Sequence, residues 1–158
     1  MKPWLKLLIS VMIPLAVGGL SGWFTAAGVN GWYRTIQKPA WNPPDAVFAP
    51  VWTVLYILMG IALYLVWNNK ITSLNNKRPA ITFWIVQLVL NAIWSFLFFS
   101  RHNIGLALVE IILLWVAIVI TIFLFARVNK MAGWLLVPYI SWVSFAALLN
   151  AAIWHLNK

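Results

Sequence analysis

The run IGLALVEIILLWVAIVITIFLFA, residues 104–126, contains 23 residues and a single charged side chain, Glu110. At about 1.5 Å per residue, a helix of this length is long enough to cross a hydrocarbon core of about 30 Å. Lipid offers no hydrogen-bond partners to the backbone, so a segment that crosses it must satisfy its own polar groups. We therefore predict that this run is a membrane-spanning helix.

Four further runs are equally apolar and carry no charge: residues 7–27, 46–67, 79–100 and 131–154. No stretch shows the alternation over about ten residues that barrel strands require. The sequence therefore predicts an all-α integral membrane bundle of five transmembrane helices. We place them at about residues 5–27, 46–67, 79–100, 104–127 and 132–155, in a single domain that covers 1–158. Because most connections are short, sequential helices are expected to pack as neighbours.

The composition excludes several classes of protein. Of 158 residues, 64% are apolar and 8% charged, and there is no cysteine, which excludes a disulfide scaffold, a thiol enzyme and a cysteine-based metal site. The net charge of +9 does not indicate nucleic acid, because the basic residues lie singly between apolar runs instead of on one face. Two acids and two histidines, placed far apart, form no catalytic triad or paired carboxylates, and no metal site is predicted.

The basic residues also predict the orientation of the chain. Seven of them fall on the side of the N-terminus and four on the side of the loop at 28–45. The positive-inside rule therefore places the N-terminus in the cytoplasm. The first apolar run is longer than the hydrophobic region of a signal peptide, so we expect it to be retained. Its Gly18 and Gly22 suit close helix packing, either within the bundle or between two copies.

Polar and aromatic side chains recur at helical spacing on three of the predicted helices. Gln87, Asn91 and Ser95 share one face of the third helix, and Tyr139, Trp142, Ala146 and Asn150 share one face of the fifth. Trp52, Tyr56 and Gly60 do the same on the second helix. Such stripes are typical both of a ligand pocket with a few oriented polar atoms and of a hydrogen-bonded bundle core. The spacing alone leaves both interpretations open.

Two features stand apart from these stripes. Glu110 is the only acid inside a span, which is the kind of residue that a proton-coupled transporter uses. The first loop, 28–45, contains Trp32, Tyr33 and the segment KPAWNPP at 38–44. Prolines reduce the entropy that such a segment loses on ordering. We therefore expect this loop to form a lid over one end of the bundle.

These residues also resemble a known family. The pattern comprises Trp32-Tyr33, Lys38-Pro39-x-Trp41-x-Pro43-Pro44, Phe48-x-Pro50-x-Trp52-Thr53-x-Leu55-Tyr56, Leu90-Asn91-x-x-Trp94-Ser95 and Pro138-Tyr139-x-x-Trp142-x-x-Phe145-Ala146-x-x-Leu149-Asn150. It resembles the translocator protein family, also called TspO, tryptophan-rich sensory protein or peripheral benzodiazepine receptor. The likeness covers essentially the whole chain. A tyrosine needed by the cholesterol motif of animal members is missing from residues 149–154, so cholesterol recognition through that motif is not expected.

The resemblance implies a five-helix bundle, usually a homodimer, that binds protoporphyrin IX or another tetrapyrrole as a ligand without a tightly bound cofactor. Isoquinoline carboxamide and benzodiazepine compounds are further expected ligands. The implied pocket lies under the first loop, in a multi-pass protein of a bacterial cell membrane. Combined with the stripes, this predicts the following ligand-binding set: Trp32, Tyr33, Trp52, Tyr56, Gln87, Asn91, Trp94, Ser95, Tyr139, Trp142, Ala146 and Asn150.

Within that set, Trp52 and Trp142 match tryptophans implicated in light-driven breakdown of bound porphyrin. From charge alone, the ligand's propionates are expected to meet Arg34, Lys38 or Arg101 at the membrane interface. Three functions therefore stay under consideration. They are a tetrapyrrole sensor or carrier with oxidative porphyrin turnover, a proton-coupled exporter of aromatic compounds that uses Glu110, and a structural or regulatory membrane subunit.

Overall fold

A computed structural model describes all 158 residues as helices and their connections. The helices are α1 (Pro3–Asn30), α2 (Phe48–Trp67), α3 (Leu74–Ser95), α4 (Ile104–Val128), α5 (Lys130–Leu135) and α6 (Val137–Asn157). Five segments are long and apolar enough to cross a membrane, with α5 and α6 together forming the fifth. The predicted all-α bundle of five transmembrane helices is confirmed.

Helix boundaries differ from the prediction at three places. Helix α1 ends at Asn30, so its last residues occupy the start of the predicted loop 28–45. Helix α3 begins at Leu74 and not at Pro79, so its first turns carry Lys77 and Arg78. Pro79 removes only one backbone hydrogen bond near the start of the helix, which membrane helices tolerate. The predicted helix 132–155 is divided at Leu136, because Pro138 occupies the first turn of a new helix, where its missing N–H is harmless.

A π-helical turn, Phe96–Ser100, extends α3 toward the side of the lid. The wider turn is closed by a hydrogen bond of 3.0 Å from the backbone N–H of Arg101 to the carbonyl of Phe96. It brings the consecutive side chains of Phe98 and Phe99 into the interior, where both are buried. Turns of this kind inside helices often occur at functional sites.

The helices form a closed ring that does not follow chain order. Helix α1 packs against α2, α2 against α5, α6 against α4, α4 against α3, and α3 with its π-helical turn against α1. The prediction that sequential helices are neighbours is wrong for α2 and α3, whose backbones approach over only a short stretch. Residues 68–73 connect them across the end of the bundle, where the side chain of Asn69 donates to the carbonyl of Val128 at 3.1 Å.

The two halves of the bundle are packed differently. The half on the side of the N-terminus is filled by a continuous core that includes Met59, Val66, Trp84, Ile118 and Phe125. Helix α1 is drawn close to α2 here, since a Cβ at Gly60 would lie 2.5 Å from the Cα of Val11. The half under the lid contains a second, smaller aromatic cluster around Tyr33, Phe98 and Phe99 and leaves a cavity beside it.

Candidate ligand-binding cavity

A cavity of about 630 Å³ lies under the lid, between α1, α2, α6 and the end of α3. Its size is within the range of about 300–1,000 Å³ that is usual for small-molecule sites. Most of the residues that line it are apolar or aromatic, and a few are polar. This composition suits a flat hydrophobic guest with a small number of polar atoms.

Eight of the twelve predicted ligand-binding residues line this cavity. They are Tyr33, Trp52, Tyr56, Trp94, Ser95, Trp142, Ala146 and Asn150. They come from the lid and from α2, α3 and α6, so the stripes on the three helices converge in one space. Both tryptophans of the predicted catalytic pair, Trp52 and Trp142, are among them.

Three other predicted residues lie behind the wall and not in it. Gln87, Asn91 and Tyr139 are fully buried and absent from the lining. Tyr139 donates its hydroxyl proton to Oε1 of Gln87 at 2.7 Å and accepts from Nδ2 of Asn91 at 2.9 Å. Asn91 in turn accepts from the hydroxyl of Tyr56 at 2.7 Å. These side chains hold Tyr56, which does line the cavity, in a fixed position.

The twelfth predicted residue, Trp32, anchors the lid outside the cavity. Its indole stacks on the ring of His102 with centroids 4.3 Å apart and meets Phe98 edge to face at 5.7 Å. Trp32 and His102 line a separate groove of about 430 Å³ on the outer side of α1. Trp32 therefore joins the lid to the turn that follows α3.

Polar contacts within the lid fold the loop onto itself. The Tyr33 hydroxyl donates to Oδ1 of Asn42 at 2.8 Å, and the Lys38 ammonium donates to the carbonyl of Tyr33 at 2.6 Å. Burial, together with the negative charge of Asp45, raises the pKa of Tyr33 to about 12, against a smaller lowering by the hydrogen bond with Asn42. The hydroxyl that donates to Asn42 therefore stays protonated to a higher pH than that of a tyrosine in water.

The far part of the lid is attached to the end of α6. The amide of Asn157 accepts from the backbone N–H of Gln37 at 3.0 Å and donates to the carbonyl of Gln37 at 2.8 Å. Trp41 meets Phe145 edge to face at 5.7 Å. The loop is thus fastened to the helix that carries Trp142 and Asn150.

Aromatic rings and one indole hydrogen bond shape the inside of the cavity. Trp52 stacks on Tyr56 with centroids 5.5 Å apart, and Trp142 lies 5.5 Å from Phe145. Trp94 donates its indole N–H to Oδ1 of Asn150 at 3.0 Å, which links α3 to α6. The indoles of Trp52 and Trp142 approach the space from α2 and α6.

The contribution of α1 to the cavity is absent from the predicted site. Residues of α1 between Leu15 and Asn30 form much of the wall, including Gly19, Gly22 and Ala26. A Cβ added at Gly19 or Gly22 would meet nothing within 4 Å, whereas one at Gly18 would collide with the ring of Tyr56. The run of small residues is the sequence signal for this wall, although it also indicates helix packing.

The ionisable residues singled out from the sequence lie outside the cavity. Glu110 is buried, neither of its carboxylate oxygens has a hydrogen-bond partner, and it does not line the space. Arg34, Lys38 and Arg101 are also absent from the lining. The expected contact of a ligand carboxylate with one of these three cations at the membrane interface stays a prediction, and it would lie outside the cavity wall.

Comparison with known proteins agrees with this architecture. Residues 10–155 match the model of the TspO/MBR family. The chain is 44% identical to the tryptophan-rich protein TspO of Chlorobaculum tepidum over 156 residues, covering 99% of this chain and 98% of that one. It is 44% identical to the Archaeoglobus fulgidus protein of the same name over 153 residues, covering 97% of each chain.

Animal proteins are also similar along their length. The translocator protein of Sus scrofa is 33% identical over 160 residues, which cover 99% of this chain and 92% of that one. The match to the family model, residues 10–155, includes the lid and most or all of each membrane-length segment, so it extends across the cavity described above. The chain belongs to the TspO/MBR family.

Proposed function

We propose that this membrane protein binds a tetrapyrrole such as protoporphyrin IX in the cavity under the lid and acts as a sensor or carrier for it. The observation that supports the proposal is the cavity of about 630 Å³ with indoles from α2, α3 and α6 in its wall. Flat aromatic rings stack favourably on such side chains. Isoquinoline carboxamide and benzodiazepine compounds share this planar, apolar character and are expected in the same space.

Titration of the purified protein with protoporphyrin IX, followed by tryptophan fluorescence, tests the proposal. We expect saturable quenching that is weakened by Trp142→Ala, because this indole lines the cavity. Trp134→Ala is the matched control, since Trp134 is 69% exposed on α5 and lies outside the cavity. Absence of saturable quenching, or an equal loss of affinity in both variants, would contradict the proposal and favour a structural or regulatory subunit.

We further propose that the light-excited tetrapyrrole takes an electron from the indole of Trp52 or Trp142, which is left as a radical cation, and passes the electron to dissolved oxygen. The reactive oxygen species so formed then oxidises the macrocycle. The support is that both indoles line the space, one from α2 and the other from the neighbouring α6. Bleaching of protoporphyrin absorbance under illumination is the measurement. It is expected to slow in the double variant Trp52→Phe, Trp142→Phe, and to be unchanged in Trp115→Phe, whose indole donates to Ser144 away from the cavity. Equal bleaching rates in all three proteins would contradict this step.

A proton-coupled exporter of aromatic compounds is the second candidate, and one observation favours it. Glu110 is a buried carboxyl group without a hydrogen-bond partner inside a span. Uptake of an aromatic dye into vesicles that depends on a proton gradient, and that is abolished in Glu110→Gln, would favour this function. Uptake without a gradient, or unchanged in the variant, counts against it.

The assembly and orientation of the protein stay predictions. A homodimer and a bacterial cell membrane follow from the resemblance, and a cytoplasmic N-terminus follows from the charge bias. Cross-linking in lipid and the accessibility of a tag at the N-terminus measure them directly. We treat the porphyrin, the bilayer and a second copy of the chain as the proposed partners.

A further inference from the structure

Asp45 is the one charged side chain that lines the cavity. The chain has eleven Lys and Arg residues and a formal net charge of +9, yet none of these cations, and neither histidine, is part of the wall. The mouth of the cavity therefore carries a negative charge in a protein that is otherwise strongly basic. The charge at the cavity mouth is thus opposite in sign to the net charge of the protein.

Asp45 caps no helix through a side-chain hydrogen bond. The residue opens the short turn Asp45–Val47 that leads into α2, where an acidic side chain interacts favourably with the helix dipole. No side-chain hydrogen bond caps either the turn or α2, however. The side chain is exposed, and it lies at the rim of the cavity on the side of the lid.

The cations of the lid are held by other groups. The Lys38 ammonium donates to the carbonyls of Tyr33 and Ile36 at 2.6 and 3.1 Å. The guanidinium of Arg34 lies 3.4 Å from Oδ1 of Asn30, on an exposed part of the loop. Asp45, by contrast, is close enough to Tyr33 for its charge to contribute to the raised pKa of that cavity-lining hydroxyl.

We propose that Asp45 makes the cavity select its guests by charge. A planar aromatic guest whose polar end at the mouth is neutral or cationic is favoured, and one that presents a carboxylate there is disfavoured. Like charges a few ångströms apart repel strongly where water is partly excluded, and less where solvent screens them. This inference rests on the proposed function, since it concerns the same cavity and refines the class of tetrapyrrole that it takes.

Two compounds with the same ring test the inference. Protoporphyrin IX carries two carboxylates and its dimethyl ester carries none, and the affinity of each is measured by tryptophan quenching in wild type, Asp45→Asn and Asp45→Glu. For each protein we take the ratio of the ester's affinity to the acid's affinity, and we compare this ratio between the proteins. The difference in hydrophobicity between acid and ester is the same in each ratio and cancels in the comparison. In Asp45→Asn we expect the preference for the ester to shrink by about three- to tenfold, as removal of one nearby charge repulsion predicts.

Asp45→Glu keeps the charge and is expected to keep the wild-type ratio. The same ratio in all three proteins, or a preference for the ester that grows in Asp45→Asn, overturns the inference while leaving tetrapyrrole binding in place. If neither compound binds saturably to any of the three proteins, the proposed function is overturned, and this inference fails with it. If the ratio of the two affinities changes similarly in Asp45→Asn and Asp45→Glu, the inference about charge is also overturned. The effect would then come from the shape of the side chain and not from its charge.

Discussion

Tyr139 has no exposed surface, and its hydroxyl makes two hydrogen bonds inside the membrane-spanning part of the bundle. The three-residue network of Gln87, Asn91 and Tyr139 thus satisfies polar atoms that neither lipid nor the apolar core would satisfy. Helical spacing indicated that these side chains face inward. It did not indicate whether they reach the cavity, because the spacing gives a direction around the helix and not a depth.

The substitution Tyr139→Phe is expected to lower the free energy of unfolding by about 1–2 kcal/mol, since it leaves a buried acceptor on Gln87 and a donor on Asn91 without their partner. Thermal unfolding in detergent measures this change. Tyr64→Phe is the control, because the Tyr64 hydroxyl accepts only a 3.3 Å bond from the half-buried Asn68. Equal stability of the two variants would contradict the prediction.

Tyr33 gives a prediction about pH. Its pKa of about 12 lies above the ordinary value of 10, so the fold favours the neutral hydroxyl. The stabilisation is complete below pH 10 and is lost as the pH rises from 10 toward 12. We expect the tyrosinate absorbance titration of wild type minus that of Tyr33→Phe to show one step near pH 12. If the difference between the two titrations shows its step near pH 10 instead, Tyr33 is exposed to water and the prediction is contradicted.

At the scale of the helices, glycines show where backbones meet and where they leave space. A Cβ at Gly60 would lie 2.5 Å from the Cα of Val11 and 2.7 Å from the carbonyl oxygen of Ser10, and these backbone atoms cannot move aside. Gly19 faces open space. The two positions therefore respond in opposite ways to the same added methyl group.

Gly60→Ala is expected to lower the free energy of unfolding by about 1–3 kcal/mol, because it separates α1 from α2. Gly19→Ala is expected to be neutral or stabilising by up to about 1 kcal/mol, since alanine favours the helix over glycine. Thermal unfolding of the two variants side by side checks both. Similar losses of stability at the two positions would contradict the description of α1.

Hydropathy predicted the helices well because a bilayer demands long apolar runs, and this demand does not depend on tertiary packing. It could not predict the turn at Phe96–Ser100 or the break before Pro138, because both lie inside runs that are apolar throughout. The ring order also has no signature in hydropathy. The part of the cavity wall that α1 forms was not predicted either, because α1 contributes small side chains and few polar ones.

At the scale of the whole molecule, the lid is joined to the bundle through Asn157 and Gln37, residues far apart in the chain. The variant Asn157→Ala removes both hydrogen bonds at the end of α6. We expect faster hydrogen exchange in residues 31–44 and a several-fold faster release of bound protoporphyrin IX, because a looser lid opens more often. Unchanged exchange in this loop would contradict the prediction.

Asn68→Ala is the control for that experiment. The Asn68 side chain donates to the Tyr64 hydroxyl at the opposite end of the bundle, away from the lid. Its exchange pattern in residues 31–44 should match wild type. A similar loosening of the lid in both variants would indicate a general loss of stability and not the loss of one attachment.

The uneven packing of the two halves bears on what a bound molecule can do. Most of the cavity wall lies toward the lid, and only a few lining residues, such as Leu15 and Trp142, come from the farther half of their segments, where Met59, Trp84 and Phe125 fill the interior. The floor of the cavity is therefore close-packed protein. Passage of a molecule from this cavity through the centre of the bundle would require that floor to come apart, whereas exit beside the lid would leave it intact.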